Sequence, residues 1–247
     1  MENRIKGTKS LIDYAATSAF FVQRAGKHLP GTPYVTTSYQ DKNPDLSVAR
    51  DIHEKGLILP LLKVQPASRV IDIGCGVGRW ADSIVPRAGF YLGLDFCPEL
   101  VQVARERLKA CETTCDYSFQ SCSFQNLGQI DAAGSFTHGL VSGVMAYIND
   151  TDLLGALHAM GELMAEQSLI YIREPVGLYE RLTLNKFFST DLEAEYSAIY
   201  RTANEYRNLF QQSFFSYGYS VIAEGAMLTE QLANRQETGQ YYFILER

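Results

Sequence analysis

A basic surplus is missing from this sequence: 22 Lys and Arg stand against 28 Asp and Glu, a formal net charge of -6 over 247 residues. Nucleic-acid binding must neutralise phosphates and leaves a basic excess or a basic stripe. Neither is present, so no nucleic-acid partner is expected. Long hydrophobic runs are missing too. Between Met1 and Lys27 the most apolar stretch, Tyr14 to Val22, is short and is broken by Thr17 and Ser18. It fits neither a secretory core nor a membrane span, so no membrane association is expected. Metal-ligand spacing is also absent. His28, His53, His138 and His158 are scattered, and Cys75, Cys97, Cys111, Cys115 and Cys122 form no C-x-x-C pair. An odd number of cysteines, several in predicted core elements, fits free thiols in a reducing cytoplasm. No repeat or low-complexity tract occurs.

What is present is alternation. Hydrophobic residues make up 46% of the chain, enough for a sizeable core. Asn43-Pro44-Asp45 opens a helix expected to run until Pro60 disturbs it. Strands are predicted at Arg69–Ile73, Phe90–Asp95, Tyr117–Ser121, Phe136–Val141 and Ser168–Ile172. Helices are predicted from Gly78 to Val85, from Pro98 and after Asp150-Thr151-Asp152. Strands alternating with helices imply an α/β fold with a parallel sheet covered on both faces. Residues 177–212 break the rhythm and read as a largely helical insert rich in Tyr, Phe and Arg. Phe214–Glu224 and Gln240–Glu246 read as a closing antiparallel pair. The expected organisation is an N-terminal helical cap over residues 1–65 and one domain over 66–247 that carries the insert.

The strongest local signal is Val70-Ile71-Asp72-Ile73-Gly74-Cys75-Gly76-Val77-Gly78-Arg79. A buried strand runs into glycines at alternate positions and then into a helix. Glycine permits the sharp turn and lets a ligand approach without a Cβ in the way. The spacing is G-x-G-x-G, one residue tighter than the dinucleotide fingerprint G-x-G-x-x-G. It suits a nucleoside joined to an amino acid better than a diphosphate. Asp95 closes the next strand, where a carboxylate can accept both ribose hydroxyls of a nucleoside ligand. The plainer alternative is a ligand-free tight turn with a surface acid.

In these residues the chain resembles the class I S-adenosylmethionine-dependent methyltransferases, over about residues 66 to 175 plus the closing strand pair. The resemblance implies a doubly wound, Rossmann-like seven-stranded sheet with a reversed last strand. It implies that Gly74, Cys75, Gly76 and Gly78 lie along the methionine part of the cofactor, that Asp95 holds the ribose and that Phe96 flanks the adenine. A looser likeness points to the branch containing protein N-terminal methyltransferases. It implies that Arg79 meets the cofactor carboxylate and that Phe124 and Gln125 contact the adenine. The plainer readings are a solvated Arg79 and a core Phe124. The acid that many relatives carry beside Phe124 is absent here. Catechol-type relatives hold a cation with an aspartate at the end of strand four. This chain has Val141 and Ser142 there, so no metal is expected.

Methyl transfer from a sulfonium is an in-line displacement with a good leaving group, so an enzyme chiefly aligns the acceptor and takes its proton. Candidates sit at the carboxyl ends of strands four and five. Val141 and Ser142 are expected beside the cofactor. Tyr147 is a candidate catalytic residue, although a phenol of pKa ~10 is a poor base, and simple packing beside the loop explains it equally well. Glu174, which matches a catalytic acid of the resembling branch, is the candidate proton acceptor. Tyr39, in a second candidate lid from Tyr34 to Asp41, and Arg201 and Tyr206 of the insert are candidate substrate contacts. Arg201 and Glu205 also suit a plain helix-surface pair. The expected function is O- or N-methylation of a small metabolite, a sugar derivative or specialised product, with S-adenosylhomocysteine as co-product and no metal. A homodimer is compatible with this reading. A peptide N-terminal amine methyltransferase, an NAD(P)-dependent oxidoreductase and a non-catalytic cofactor-binding scaffold remain as alternatives.

Overall fold

A computed structural model describes residues 3–28, 31, 34–38, 41–130, 132 and 135–247. The chain opens with β1 (Arg4–Lys6), α1 (Tyr14–Gly26), the single turn α2 (Val35–Ser38) and α3 (Pro44–Leu62). It then alternates through β2 (Arg69–Ile73), α4 (Ala81–Ile84), β3 (Phe90–Asp95), α5 (Pro98–Leu108), β4 (Asp116–Ser121), β5 (Phe136–Ser142), α6 (Asp150–Leu163) and β6 (Met164–Gly177). β7 (Leu182–Ser189), β8 (Ala194–Tyr200), α7 (Ala203–Gln212), β9 (Ser220–Ala226) and β10 (Thr238–Glu246) complete it.

The main sheet has the strand order β4-β3-β2-β5-β6-β10-β9. β4, β3, β2, β5 and β6 are parallel to their neighbours, while β10 runs antiparallel to both β6 and β9. The order reverses at β2, and such a switch point opens a crevice at the carboxyl ends of the strands. Each central strand is buried on both faces, as a helix-covered parallel sheet requires. From β2, Ile71 and Ile73 enter one core with α6 and α7, whereas Val70 enters the other with α3, α4 and α5. Ile58 and Leu62 of α3 lie in that second core beside Tyr91 and Ile244, so α3 is built into the sheet's packing.

The structure corrects several local expectations. The segment 177–212 is not largely helical: β7 and β8 pair with each other, and β1 joins β7 in a separate antiparallel sheet. Thr183, Phe187, Tyr196, Ile199 and Tyr200 are β-branched or aromatic and favour the pleated surface. The helix begins only at Ala203, where Thr202 and Glu205 form a reciprocal capping box. The helix expected from Gly78 starts at Ala81, because Gly78 has φ +78° and cannot enter a right-handed helix. α3 continues past Pro60 to Leu62; a proline in the last turn removes one hydrogen bond, and buried Ile58 and Leu62 hold the turn in place. β6 likewise runs through Pro175, because β5 ends at the Ser142–Arg173 register and needs no donor from residue 175.

Candidate active site

The carboxyl ends of β2 and β5 border a cavity of about 360 Å³. Its floor is the glycine loop. Gly74 and Gly76 have φ of +71° and +53°, a conformation that side-chain-bearing residues rarely adopt. A Cβ at Gly74 would stand 2.2 Å from Val144 Cγ2, and one at Gly76 would stand 2.9 Å from Thr37 Cγ2. Gly74 and Gly76 are therefore kept without side chains for both backbone and steric reasons.

Asp72, at the end of β2, faces the same cavity. Its Oδ2 accepts a hydrogen bond from Tyr91 at 2.6 Å, but its buried Oδ1 has no partner. Burial raises its carboxyl to about 6, against the pull of the Tyr91 phenol and the charge of Arg79. Asp95 closes β3 and accepts from the backbone N–H of Gly76 and of Cys97, both at 2.9 Å. Burial pushes it to about 6 as well, opposed by those two backbone donors. A buried carboxylate left short of partners attracts a cation or a hydroxyl donor.

One wall comes from α3. Ser47, Asp51, Glu54, Ile58 and Leu62 recur at helical spacing and are all buried, so the face that starts in the core carries carboxylates into the cavity. Arg79 donates to Asp51 at 2.8 Å, to Glu54 at 3.0 Å and to Ser142 Oγ at 3.0 Å. Glu54 also accepts from Tyr171 at 2.6 Å and pairs with Arg173 Nε at 3.4 Å. Burial alone would raise the Glu54 carboxyl, but Arg173 and Arg79 outweigh it and hold the group at about 2. Arg79 loses by burial and gains more from Glu54 and Asp51, so it stays firmly charged.

The cavity brings together Gly74, Cys75, Gly76, Arg79, Ser142 and Tyr147 of the predicted residues. The others stand elsewhere. Phe96 meets Phe21 of α1 edge to face at 5.3 Å, and Phe21 meets Tyr147 in the same way at 5.0 Å; α1 thus roofs this end of the loop. Gly78 packs toward Ala104 of α5. Phe124 and Val141 are buried in the core, and Gln125 is exposed. Tyr39 lies outside the described residues. Asp41, from the same candidate lid, pairs with the buried Arg24 of α1.

Glu174, Arg201 and Tyr206 are corrections. Glu174 is fully buried and its carboxylate accepts from the backbone N–H groups of Val144, Met145 and Ala146 at 2.8, 3.0 and 3.1 Å. Burial raises its carboxyl, those donors lower it, and it does not line the cavity. Arg201, instead of pairing with Glu205, binds Asp150 and donates at 2.7 Å to the carbonyls of both Met145 and Ile148. An acid on the leading amides and a guanidinium on the trailing carbonyls clamp the single 3-10 turn Met145–Tyr147 at both ends. Both residues therefore hold the turn that carries Tyr147, and neither lines the cavity. Tyr206 is fully buried among Phe210 and Phe243.

Sequence reasoning missed Asp51, Glu54, Asp72, Arg173, Tyr196 and Tyr200, all of which line the cavity. The three- and four-residue spacing from Asp51 through Glu54 to Ile58 was a usable signal for the first two. Among the described residues no three His, Cys, Asp or Glu side chains cluster as metal ligands would, and no helix is long and apolar enough to cross a membrane.

This sheet order, with a glycine loop leaving its first central strand and an acid closing the second, defines a class I S-adenosylmethionine-dependent methyltransferase fold. A family model described as a methyltransferase domain matches residues 70–167. Demethylmenaquinone methyltransferase of Listeria welshimeri is 29% identical over 82 residues, which is 32% of this chain and 34% of that protein. The Tropheryma whipplei protein of the same name is 29% identical over 75 residues, 30% of this chain and 31% of that one. The chain thus spans about a third of the length of these curated relatives. Among solved structures, phosphoethanolamine N-methyltransferase 1 of Haemonchus contortus superposes with TM-score 0.72 at 16% identity, covering 94% of this chain and 48% of that one. Magnesium protoporphyrin IX methyltransferase of Synechocystis gives TM-score 0.61 at 14% identity over 97% of this chain and 100% of that one. The 1,6-didemethyltoxoflavin N1-methyltransferase of Burkholderia thailandensis gives TM-score 0.61 at 14% identity, covering 99% and 94%.

Proposed function

We propose that this protein transfers a methyl group from S-adenosylmethionine to an oxygen or nitrogen of a small acceptor. The observation that carries the reading is the bare glycine loop beside Asp72 Oδ1, a buried carboxylate oxygen without a partner. The methionine end of the cofactor offers an ammonium to that oxygen and a flat approach to Gly74 and Gly76. Asp95, which accepts the Gly76 N–H at the edge of that loop, keeps spare lone pairs on both oxygens for ribose hydroxyls. Structural neighbours solved with S-adenosylmethionine or S-adenosylhomocysteine support this choice.

When bound, the cofactor supplies an electrophilic methyl on a positively charged sulfur. The chain's own part is alignment. Tyr147, clamped through Glu174 and Arg201, presents its phenol at the cavity and orients the acceptor's lone pair. Tyr196 and Tyr200 stand in the same wall with their hydroxyls 3.1 Å apart. Burial raises both phenols above their ordinary value, so they act as neutral hydrogen-bonding groups and not as bases. Ser189 of β7 and Tyr196 and Tyr200 of β8 wall the cavity on this side and limit the approach of water to the reacting centre.

Isothermal titration with S-adenosylhomocysteine and with NAD(P) tests the cofactor. Binding of the first and not the second is expected, followed by methyl transfer from radiolabelled cofactor to a member of a metabolite set. Binding of NAD(P) alone would overturn the proposal. Transfer to short peptides, but to no metabolite, would move the acceptor class to peptide amines.

A further inference from the structure

Besides Arg79, which Asp51 and Glu54 already neutralise, three arginines from separate parts of the chain line this cavity: Arg50 on α3, Arg173 on β6 and Arg235 in the β9–β10 connection. Their bonding is uneven. Arg173 is paired with Glu54 and donates to Gln240 Oε1 at 2.8 Å. Arg235 meets Asp191 at 2.9 Å in an exposed pair. Arg50 meets no acid among the described residues: it donates to the Leu232 carbonyl at 2.9 and 2.6 Å and to Asn234 Oδ1 at 2.8 Å. Those neutral oxygens fix its direction without cancelling its charge.

The acids on this wall pair elsewhere. Asp51 serves Arg79 and Lys55 and Glu54 serves Arg79 and Arg173, while Asp72 accepts from Tyr91 on one oxygen and bonds to none of the three arginines. Burial lowers the Arg50 guanidinium from its ordinary value, and the charges of Arg235 and Arg173 lower it further. Like charges gathered on a half-buried wall repel one another unless an anion sits among them. Leu178, Leu192, Tyr196 and Tyr241 add apolar and aromatic surface to the same cavity.

We infer that Arg50, Arg173 and Arg235 form a binding site for an anionic group, a carboxylate or phosphate, carried by the methyl acceptor. The acceptor is thereby an organic acid or phosphate ester with an apolar or aromatic body. This inference rests on the methyltransferase reading for its word acceptor, but the anion site itself does not. A rival assignment gives the three arginines to the cofactor's own carboxylate, and the experiment separates the two.

Phenyl phosphate, benzoate and neutral benzamide are titrated calorimetrically into the protein, with and without saturating S-adenosylhomocysteine. At least one anion should bind while benzamide does not, and the arm that binds tells phosphate from carboxylate. Arg50→Gln and Arg235→Gln should each weaken that anion at least about tenfold, as loss of a charge-assisted hydrogen bond implies. Arg50→Lys should recover part of the loss, and S-adenosylhomocysteine affinity should stay within about twofold throughout. Arg235 is exposed, so its variant reports on the site even if Arg50→Gln unfolds. The inference is overturned if neither anion binds, if benzamide binds equally well or if Arg235→Gln binds the anion like wild type. Loss of S-adenosylhomocysteine affinity in folded Arg50→Gln or Arg235→Gln protein overturns it as well, by giving the site to the cofactor. Anion binding by a protein that binds no S-adenosylhomocysteine would leave the anion site standing and remove the methyltransferase reading.

Discussion

Replacing Glu54 by Gln removes the negative charge around which the α3 wall is organised. Glu54 is 5% exposed and stands between the guanidiniums of Arg79 and Arg173. Holding its carboxyl at about 2, against an ordinary 4.5, corresponds to about 3 kcal/mol of folding stability at about 1.4 kcal/mol per pH unit. Breaking a buried ion pair from one side costs about 3–5 kcal/mol, so two independent routes converge. Urea unfolding near pH 7 should show Glu54→Gln less stable than wild type by about 3 kcal/mol. The acid limb gives the sign. Because the folded value is depressed, the contribution is complete above 4.5 and disappears as pH falls through about 2. The gap between wild type and variant should therefore shrink steadily across that range. A loss below about 1 kcal/mol at neutral pH, the range of an exposed pair, or a gap independent of pH, would refute this account of the wall.

Cofactor affinity should rise as pH increases through about 6, where Asp72 and Asp95 shed their protons; titration calorimetry showing a flat profile between about pH 5 and about pH 8 would count against both carboxylates as ligands. Gly76→Val should weaken S-adenosylhomocysteine binding by at least about tenfold, because it adds a β-branched side chain at φ +53° facing Thr37. Glu174→Gln should lower stability by about 1–3 kcal/mol through its three backbone amides; a folded variant of unchanged stability that loses only turnover would restore Glu174 as a proton acceptor. Arg201→Met should lower kcat through misplacement of Tyr147 while leaving S-adenosylhomocysteine affinity intact, and loss of that affinity in a folded protein would contradict the positioning role.

What the sequence determined by itself was the alternation of the central strands and helices. A β-branched run ending in spaced glycines can only be a buried strand entering a tight turn, and the strand–helix alternation leaves few topologies besides a doubly wound sheet. That is why β2, its loop, Asp95 at the end of β3 and the closing pair were legible, although the strand expected from Phe214 begins only at Ser220, after a 3-10 turn over Phe214–Tyr217. The tertiary structure alone decided which polar groups meet. Glu174 ends up under a turn and outside the cavity lining because a register set by β5 and β10 points it toward the Val144–Ala146 amides. The β7–β8 hairpin escaped notice because aromatic residues suit helix faces and strands alike, and its partner β1 lies at the far end of the chain. Glu54 meets Arg79 and Arg173 only after α3, β2 and β6 have packed together. Such charge networks depend on long-range proximity, which spacing along the chain does not encode.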